Sequence, residues 1–304
     1  PGHERFGASL PEPEHLIVEE GIDRLVRLAV PAAVESWNSA GGEGTPPEGW
    51  GLYVGVDSEE DQESFGRLSS AITQALGGFK PRVVELLPYG RASGLGALFR
   101  AFAAINEGRI AGAIVGGVDS LLRPTVRTRL LEQGILKDPD SNPQGILPGE
   151  AAAFCVLEKS PQRNATPLSL AAVSVGQEPT AETGKPNQGE GLTNALRAVR
   201  SAVPLSFSPL VICDLNGDRY RAMEWGLART RVFAGLGDRP EIPGSGEFWH
   251  PADCTGDTGA ASGILDCLWG MDAIQKGYGG GGQVLVWGAS DGPLRVAAIL
   301  SHQA

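Results

Sequence analysis

The sequence predicts an α/β fold made of two related halves, with largely parallel sheets covered by helices on both faces. Short apolar runs of strand type alternate with stretches of helical period along most of the chain, which implies crossover connections. The chain also matches itself at an offset of 169 residues: Ser93 falls on Ser262, Gly94 on Gly263, Leu95 on Ile264, Phe99 on Leu268, Ala104 on Ala273, Ile105 on Ile274 and Gly108 on Gly277. Each copy then enters an apolar strand ending in glycine, AIVGG or VLVWG, and a short turn carrying Asp119 or Asp291.

The first half opens with Ile22, Leu25, Val26, Leu28, Ala29, Ala32, Ala33 and Val34 at helical spacing between Glu19 and Trp37; Pro31 is expected to kink this helix. A Gly/Pro loop from Gly41 to Gly49 ends it. GLYVGV (51–56) reads as a buried strand, 64–76 as a helix, RVVELL (82–87) as a strand and 93–106 as a Gly-rich helix. Strand 113–117, a long loop and strand 151–159 complete the half. The second half repeats the rhythm: strand 168–175, helix 191–203, strand 210–215, helix 220–229, helix 260–274 and strands 283–287 and 295–300. The expected division is 12–160 and 161–304, packed as one compact unit.

Composition narrows the function. The 304 residues are 41% hydrophobic and 20% charged, which suits a chain with a real core and excludes a disordered or fibrous protein. The 25 basic against 36 acidic residues leave a net charge of −11, a sign that repels phosphate backbones and anionic lipid, so neither nucleic acid nor a membrane is an expected partner. No apolar run approaches the roughly 20 residues of a membrane helix, and PGHERFGASLPEPEH is too polar for a secretion signal; a cytoplasmic protein is expected. Cys155, Cys213, Cys254 and Cys267 form no CxxC pair, which suggests reduced, mostly buried thiols and neither a zinc site nor a disulfide framework. No metal or cofactor is expected.

Three words of the sequence, GAIVGGVDS (112–120), GILPGEAAAFCVLEK (145–159) and GDTGAASG (256–263), occur in the order and at the separations seen in one family. Together they resemble the β-ketoacyl synthases of the thiolase superfamily. The resemblance covers about residues 20–300 and implies two βαβαββ halves related by a pseudo-twofold, in an α-β-α-β-α layered core. The family's opening strand has no counterpart before Pro13, so it is absent or replaced by another segment, and the loops that line an acyl tunnel look short. Both features speak against a long acyl chain as ligand.

The resemblance also implies which positions would carry the chemistry. Family members place a cysteine at the start of the buried helix, where the helix dipole and backbone N–H groups activate it. Laid on that element, YGRASGLGAL (89–98) puts Arg91 at the nucleophile position, and guanidinium cannot attack a thioester. The family's two histidines correspond to Asp214 and Asp257, so imidazole donors are replaced by carboxylates. Arg91, Asp214 and Asp257 are therefore expected to meet at the floor of the site, with Ser93, Asn216 and Thr258 as neighbouring pocket candidates. Either this is a polar binding site or a closed, charge-satisfied network. A carboxylate beside Arg91 would have a lowered pKa. Glu150 matches a structural glutamate of the family.

The remaining chemical candidates have plainer readings. Ser93 lies outside a GxSxG elbow and reads as a helix cap. Cys254 is flanked by Asp253 and Asp257, which would disfavour its thiolate. Of His3, His15, His250 and His302, only His250, beside Trp249, is a candidate acid or base. GYGGGGQ (277–283) precedes a strand instead of opening a helix, so it reads as a connector and not a phosphate cradle.

The expected function is that of a catalytically inactive ketoacyl-synthase-like protein serving as a binding, assembly or adaptor partner, for an active synthase or for a secretion effector of the type VI system. The alternative is an acyl-thioester-processing enzyme, such as an acyltransferase, hydrolase or decarboxylase, with changed catalytic residues. The resemblance implies a homodimer, or a heterodimer with a related chain, pairing through the strand near Ala113–Gly117 with Tyr89 and the loop 120–144 close to the partner.

Overall fold

A computed structural model describes residues 21–58, 61–159, 168–203, 209–233, 248–278 and 282–302. The segment before Pro13, His3, His15 and residues 279–281 of the glycine-rich connector lie outside these. The first half runs α1 (Gly21–Ser39), β1 (Gly51–Gly55), α2 (Gln62–Ala75), β2 (Val83–Leu87), α3 (Ser93–Asn106), β3 (Gly112–Ser120), α4 (Pro124–Glu132) and β4 (Glu150–Glu158). The second runs β5 (Leu168–Gln177), α5 (Glu190–Ala202), β6 (Leu210–Cys213), α6 (Arg219–Phe233), β7 (Phe248–Trp249), α7 (Ala252–Thr255), α8 (Ser262–Lys276), β8 (Gln283–Ala289) and β9 (Leu294–His302).

Two mixed sheets result, with strand orders β2-β1-β3-β4 and β5-β9-β8-β6-β7. In the first, β1, β2 and β3 are parallel and β4 is antiparallel to β3; in the second, β6, β7 and β8 are parallel and β9 is antiparallel to both β8 and β5. The offset of 169 residues is thus a structural repeat: it carries α3 onto α8 and β3 onto β8. The two short 3-10 turns that open these helices, Gly90–Ala92 and Gly259–Ala261, are also related by it.

The layering follows from where apolar residues sit. In α3 nearly every face is buried, from Ser93 through Leu95, Leu98, Ala101 and Ile105, so the helix must lie between two sheets and cannot face water. It packs with α8 in a core shared with Ile264, Cys267, Val286 and Val296. By contrast α1, α2 and α5 each bury one stripe. Leu25, Leu28, Phe65 and Ile72 cover the outer face of the first sheet, and Leu192, Leu196, Val199 and Trp225 that of the second. Asp61 fixes the start of α2 by accepting from Ser64 N at 2.8 Å, and Gly277, at φ +73°, stops α8.

Four expectations need correction. The stretch 120–144 is not a plain loop, because α4 buries Val126 and Leu130 against Leu121, Leu136 and Ile146. Two buried residues one turn apart give too little period to read from sequence. Helix α6 continues past Arg229 because Val232 and Phe233 are buried. Helix α1 runs unbroken through Pro31, which lies on its exposed side, where the missing N–H leaves a carbonyl facing water. Finally, β3 cannot pair across a twofold: β1 and β4 occupy both of its edges and all nine of its residues are buried.

The halves approach so closely that only glycine fits between them. A Cβ on Gly94 would stand 2.7 Å from the Ala260 carbonyl oxygen, and one on Gly117 would overlap that same oxygen. Gly66, in α2, has open space around it. Gly117→Ala is expected to lower unfolding stability by about 2 kcal/mol or more through overpacking against rigid backbone, whereas Gly66→Ala should raise it by about 0.5–1 kcal/mol. Urea unfolding of the two variants beside the parent checks both signs.

Candidate functional site

The site lies where parallel strands end and the two central helices begin. Just beyond the carboxyl ends of β1, β6 and β8, and on the last residues of β3, stand Asp57, Asp214, Asp291 and Asp119, while the 3-10 turns bring Arg91 and Ala260 to the same level. Gly90 and Gly259 open these turns at φ +69° and +55°, a backbone state that suits glycine.

Arg91 is buried and forms an ion pair with Asp257, also buried; its Nε lies 3.6 Å from Asp291 Oδ1. Asp214 is held by a different cation. Arg221 Nη1 donates to Asp214 Oδ2 at 2.9 Å, and Arg221 Nη2 donates to Asp291 Oδ1 at 2.6 Å. A continuous chain of charges follows, Asp257–Arg91–Asp291–Arg221–Asp214, with Asp291 reaching solvent between two buried guanidiniums. Backbone and amide donors complete it: Ala289 N donates to Asp214 at 3.1 Å, Gly259 N to Asp257 at 2.9 Å, and the Asn216 amide to Asp257. The structure brings Arg91 and Asp257 into contact but pairs Asp214 with Arg221, which sequence reasoning missed, since nothing in CDLNGDRYR says that its seventh-neighbour arginine folds back on Asp214.

Burial governs the titration here. Asp214 is pushed above the ordinary carboxylate range by burial, which outweighs Arg221 and Arg91, so the expectation of a lowered pKa beside Arg91 fails at this residue. Burial also works to raise Asp291, but the guanidiniums of Arg91 and Arg221 together hold it below the ordinary value. Arg91 is lowered by burial and by the charge of Arg221. Asp119 is raised to about 6 by burial and by the charge of Asp57, against the pull of Arg123. Asp266, unremarked in the sequence, is fully buried on α8 and pushed well up by burial and by the charge of Asp214; its Oδ2 meets no hydrogen-bond partner among the described residues.

The other candidates have assignable places. Ser93 does not cap α3; its hydroxyl donates to Val56 O at 3.0 Å and accepts from Tyr89 N at 2.9 Å, tying the end of β1 to the turn. The Thr258 hydroxyl lies 3.0 Å from that of Ser262. Glu150 is bound by Arg24 through both carboxylate oxygens and by Ser120 Oγ at 2.8 Å. Cys254 is exposed on α7, while burial pushes the thiols of Cys213 and Cys267 far up and that of Cys155 to about 12. His250 Nδ1 is 2.7 Å from Asp253 in a half-exposed position, and His302 closes β9 at the surface. No group of His, Cys, Asp and Glu suited to a metal ion occurs among the described residues.

Two cavities flank the charge network and differ greatly. On one side, a cavity of about 560 Å³ has mixed walls, apolar at Leu87, Phe99, Val126, Leu130 and Leu294 and charged at Asp57, Asp119, Arg129 and Glu182, and reaches Arg91 and Asp291. On the other, between Cys213, Asp214, Asp257 and Asp266, only about 10 Å³ remains, room for a single water. The side of Asp214 and Asp257 is closed, and the open side presents Arg91 and Asp291.

Comparisons with known proteins agree with this architecture. Residues 90–163 match the family model described as beta-ketoacyl synthase, N-terminal domain. A highly reducing polyketide synthase of Gibberella moniliformis is 30% identical over 151 residues, 43% of this chain and 6% of that protein. Among solved structures, a ketosynthase from module 6 of the bacillaene synthase of Bacillus subtilis 168 superimposes with a TM-score of 0.77 at 15% identity, covering 91% of this chain and 57% of the other. The ishigamide ketosynthase/chain length factor gives 0.76 at 18% identity, covering 97% and 87%. The chain therefore has the thiolase-like ketosynthase fold. The family model matches the segment from the Arg91 turn through β4, and the chain spans a small part of the polyketide synthase and just over half of the bacillaene ketosynthase chain.

The network makes two testable statements. Arg91→Ala leaves Asp257 buried without its cation and is expected to cost about 3–5 kcal/mol in urea unfolding, whereas the double variant Arg91→Met with Asp257→Leu should recover most of that loss. Asp266 has a folded pKa above its unfolded value, so the folded state binds its proton more tightly, and this contribution to stability is lost as pH rises from about 4 through the folded pKa. Asp266→Asn removes that dependence. The stability difference between the variant and the parent should grow in the variant's favour with rising pH, as unfolding between pH 4 and pH 8 will show.

Proposed function

We propose that this chain is a catalytically inactive ketosynthase-like protein that works as a binding, assembly or adaptor partner. One observation carries the reading: the residues at the positions where ketoacyl synthases are expected to hold their cysteine and histidines, Arg91, Asp214 and Asp257, are locked into one ion-pair network with a cavity of about 10 Å³ beside the carboxylates. A thioester carbonyl has no room beside Asp214 and Asp257. The nearest hydroxyl of α3, that of Ser93, is engaged as both donor and acceptor.

A partner chain fits this reading, and a homodimer or a heterodimer with a related chain is its simplest form. One edge available for such pairing is that of β2, which, like β4, β5 and β7, has a neighbouring strand on one side only among the described residues and leaves Val84 exposed, with exposed Tyr89 just after it. The ishigamide neighbour is itself described as a ketosynthase/chain length factor, a two-part assembly on this fold. An active synthase is one class of partner, and a secretion effector of the type VI system is another. The cytoplasm is the proposed compartment; no helix among the described residues is long and apolar enough to cross a membrane.

The larger cavity favours a second reading, an acyl-thioester-processing enzyme, because the apolar part of its wall, Leu87, Phe99, Val126, Leu130 and Leu294, would accept a short acyl group. Incubation with a panel of acyl thioesters, followed by intact mass and free-thiol release, separates the two. No adduct and no sustained thiol release are expected. A covalent acyl adduct, or turnover abolished by Asp257→Asn in a folded variant, would overturn the inactive reading.

A further inference from the structure

The cavity of about 560 Å³ beside the charge network has the size of a small-molecule site, for which roughly 300–1,000 Å³ is usual. Three arginines line it, and each is engaged by a carboxylate: Arg91 by Asp257, Arg100 by Glu85 at 2.8 Å and Arg129 by Asp57 at 3.9 Å. Three of its four carboxylates are engaged in turn, Asp57 and Asp119 by Arg123 and Asp291 by Arg221. The fourth, Glu182, is exposed at the rim, and its carboxylate has no ion pair or hydrogen bond among the described residues, which include the whole stretch 168–203 around it. The lining therefore carries one uncompensated charge, and it is negative.

Glu182 is also held in place. Its φ is +61°, and among the described residues no other residue with a side chain has a positive φ. The turn around it is fixed from within: Thr180 Oγ1 donates to Glu178 Oε1 at 2.6 Å, Thr183 Oγ1 donates to the Thr180 carbonyl at 2.7 Å, and Glu178 Oε2 accepts from Gly191 N at 3.0 Å at the start of α5. Strain of this kind persists only where the surroundings over-determine it. A Cβ on Gly292 would stand 3.4 Å from Glu182 Oε1, so the carboxylate lies over the turn that follows Asp291. The rest of the wall offers Leu87, Phe99, Val126, Leu130 and Leu294, and the rings of Tyr89 and Phe99 are faces that attract cations.

We infer that this cavity binds a monocationic amphiphile, a primary amine on an aliphatic chain, with its ammonium on Glu182 at the rim and its chain against Leu87, Phe99, Val126, Leu130 and Leu294. Charge and shape select that class together. An alkylammonium stays protonated at neutral pH, as a lysine side chain does, and supplies the single positive charge that the lining lacks. An anionic ligand would have to displace a carboxylate from one of the arginines and would approach a chain whose net charge is −11. A neutral chain of the same length would fill the apolar wall and leave Glu182 unused. The inference goes beyond the partner role proposed above and needs no catalysis, so the two can fail separately.

The test is isothermal titration calorimetry of the whole chain with octylamine, octanol and octanoate, three ligands of equal length and different charge. Octylamine should bind at a single site about tenfold or more tighter than either of the others, and more weakly as salt rises. Glu182→Gln should weaken octylamine about tenfold and leave octanol unchanged. Glu182→Gly should do the same, and because glycine adopts this backbone freely its circular dichroism and urea unfolding should show an intact fold. Leu294→Trp, which narrows the cavity, should weaken octylamine and octanol alike. The control Glu190→Gln removes an exposed acid of α5 that lines neither cavity, and should change nothing. Failure of octylamine to bind, octanol or octanoate binding as tightly, undiminished binding in both Glu182 variants, or an equal loss in Glu190→Gln would overturn the proposal. Turnover in the acyl-thioester panel with amine binding intact would sink the inactive reading alone, and thioester inertness without amine binding would sink this one alone.

Discussion

The rest of the structure depends on the closeness with which the two halves meet at α3 and α8. Both helices are buried on nearly all sides, and the start of each lies against backbone of the other half. Gly94 and Gly117 leave room for the Ala260 carbonyl, and Gly263 leaves room for Leu95. Sheet order, layer spacing and the meeting of strand ends with helix starts all follow from that contact. Widening it by one methyl group would strain the Arg91–Asp257 pair, because Arg91 stands on the turn that opens α3 and Asp257 two residues before the one that opens α8.

That proximity explains why the centre of the molecule is ionic. Strand ends from both halves bring carboxylates to one level, and helix starts bring cations or backbone donors to meet them. Isolated, any one of Arg91, Arg221, Asp214 or Asp257 would be very costly to bury, so the network holds as a group. Asp119 shows the same logic from the other half: its Oδ2 accepts from Ala260 N at 3.0 Å, so a first-half carboxylate fastens the turn before α8. Reciprocally, Ser290 Oγ of the second half accepts from Ala92 N at 3.2 Å and fastens the turn before α3. The same groups that join the halves also close the carboxylate-side cavity, which links stability to the proposed absence of chemistry.

Much of the fold was legible because burial leaves a local trace. The near-continuous apolar runs of β1, β3, β6 and β8 announced central strands, and the glycine and alanine spacing of α3 and α8 announced a repeat. The elements that escaped were short or weakly periodic: α4 with its two buried residues, the two-residue β7 and the four-residue α7. The central position of β3 also escaped, because the strand following the helix looks the same in sequence whether it is an edge or is flanked on both sides.

The sequence by itself determined the α/β class, the duplication and the acidic balance, since each is written in composition, in residues close together or in a repeating pattern. Only the tertiary structure decided which charges pair. Arg221 belongs to Asp214, Asp291 bridges two arginines, and Asp266 stands buried beside them. Ion pairing depends on distances of a few ångströms between segments up to about two hundred residues apart, here Arg91 and Asp291, and on how far each group is withdrawn from water. No local pattern encodes either quantity.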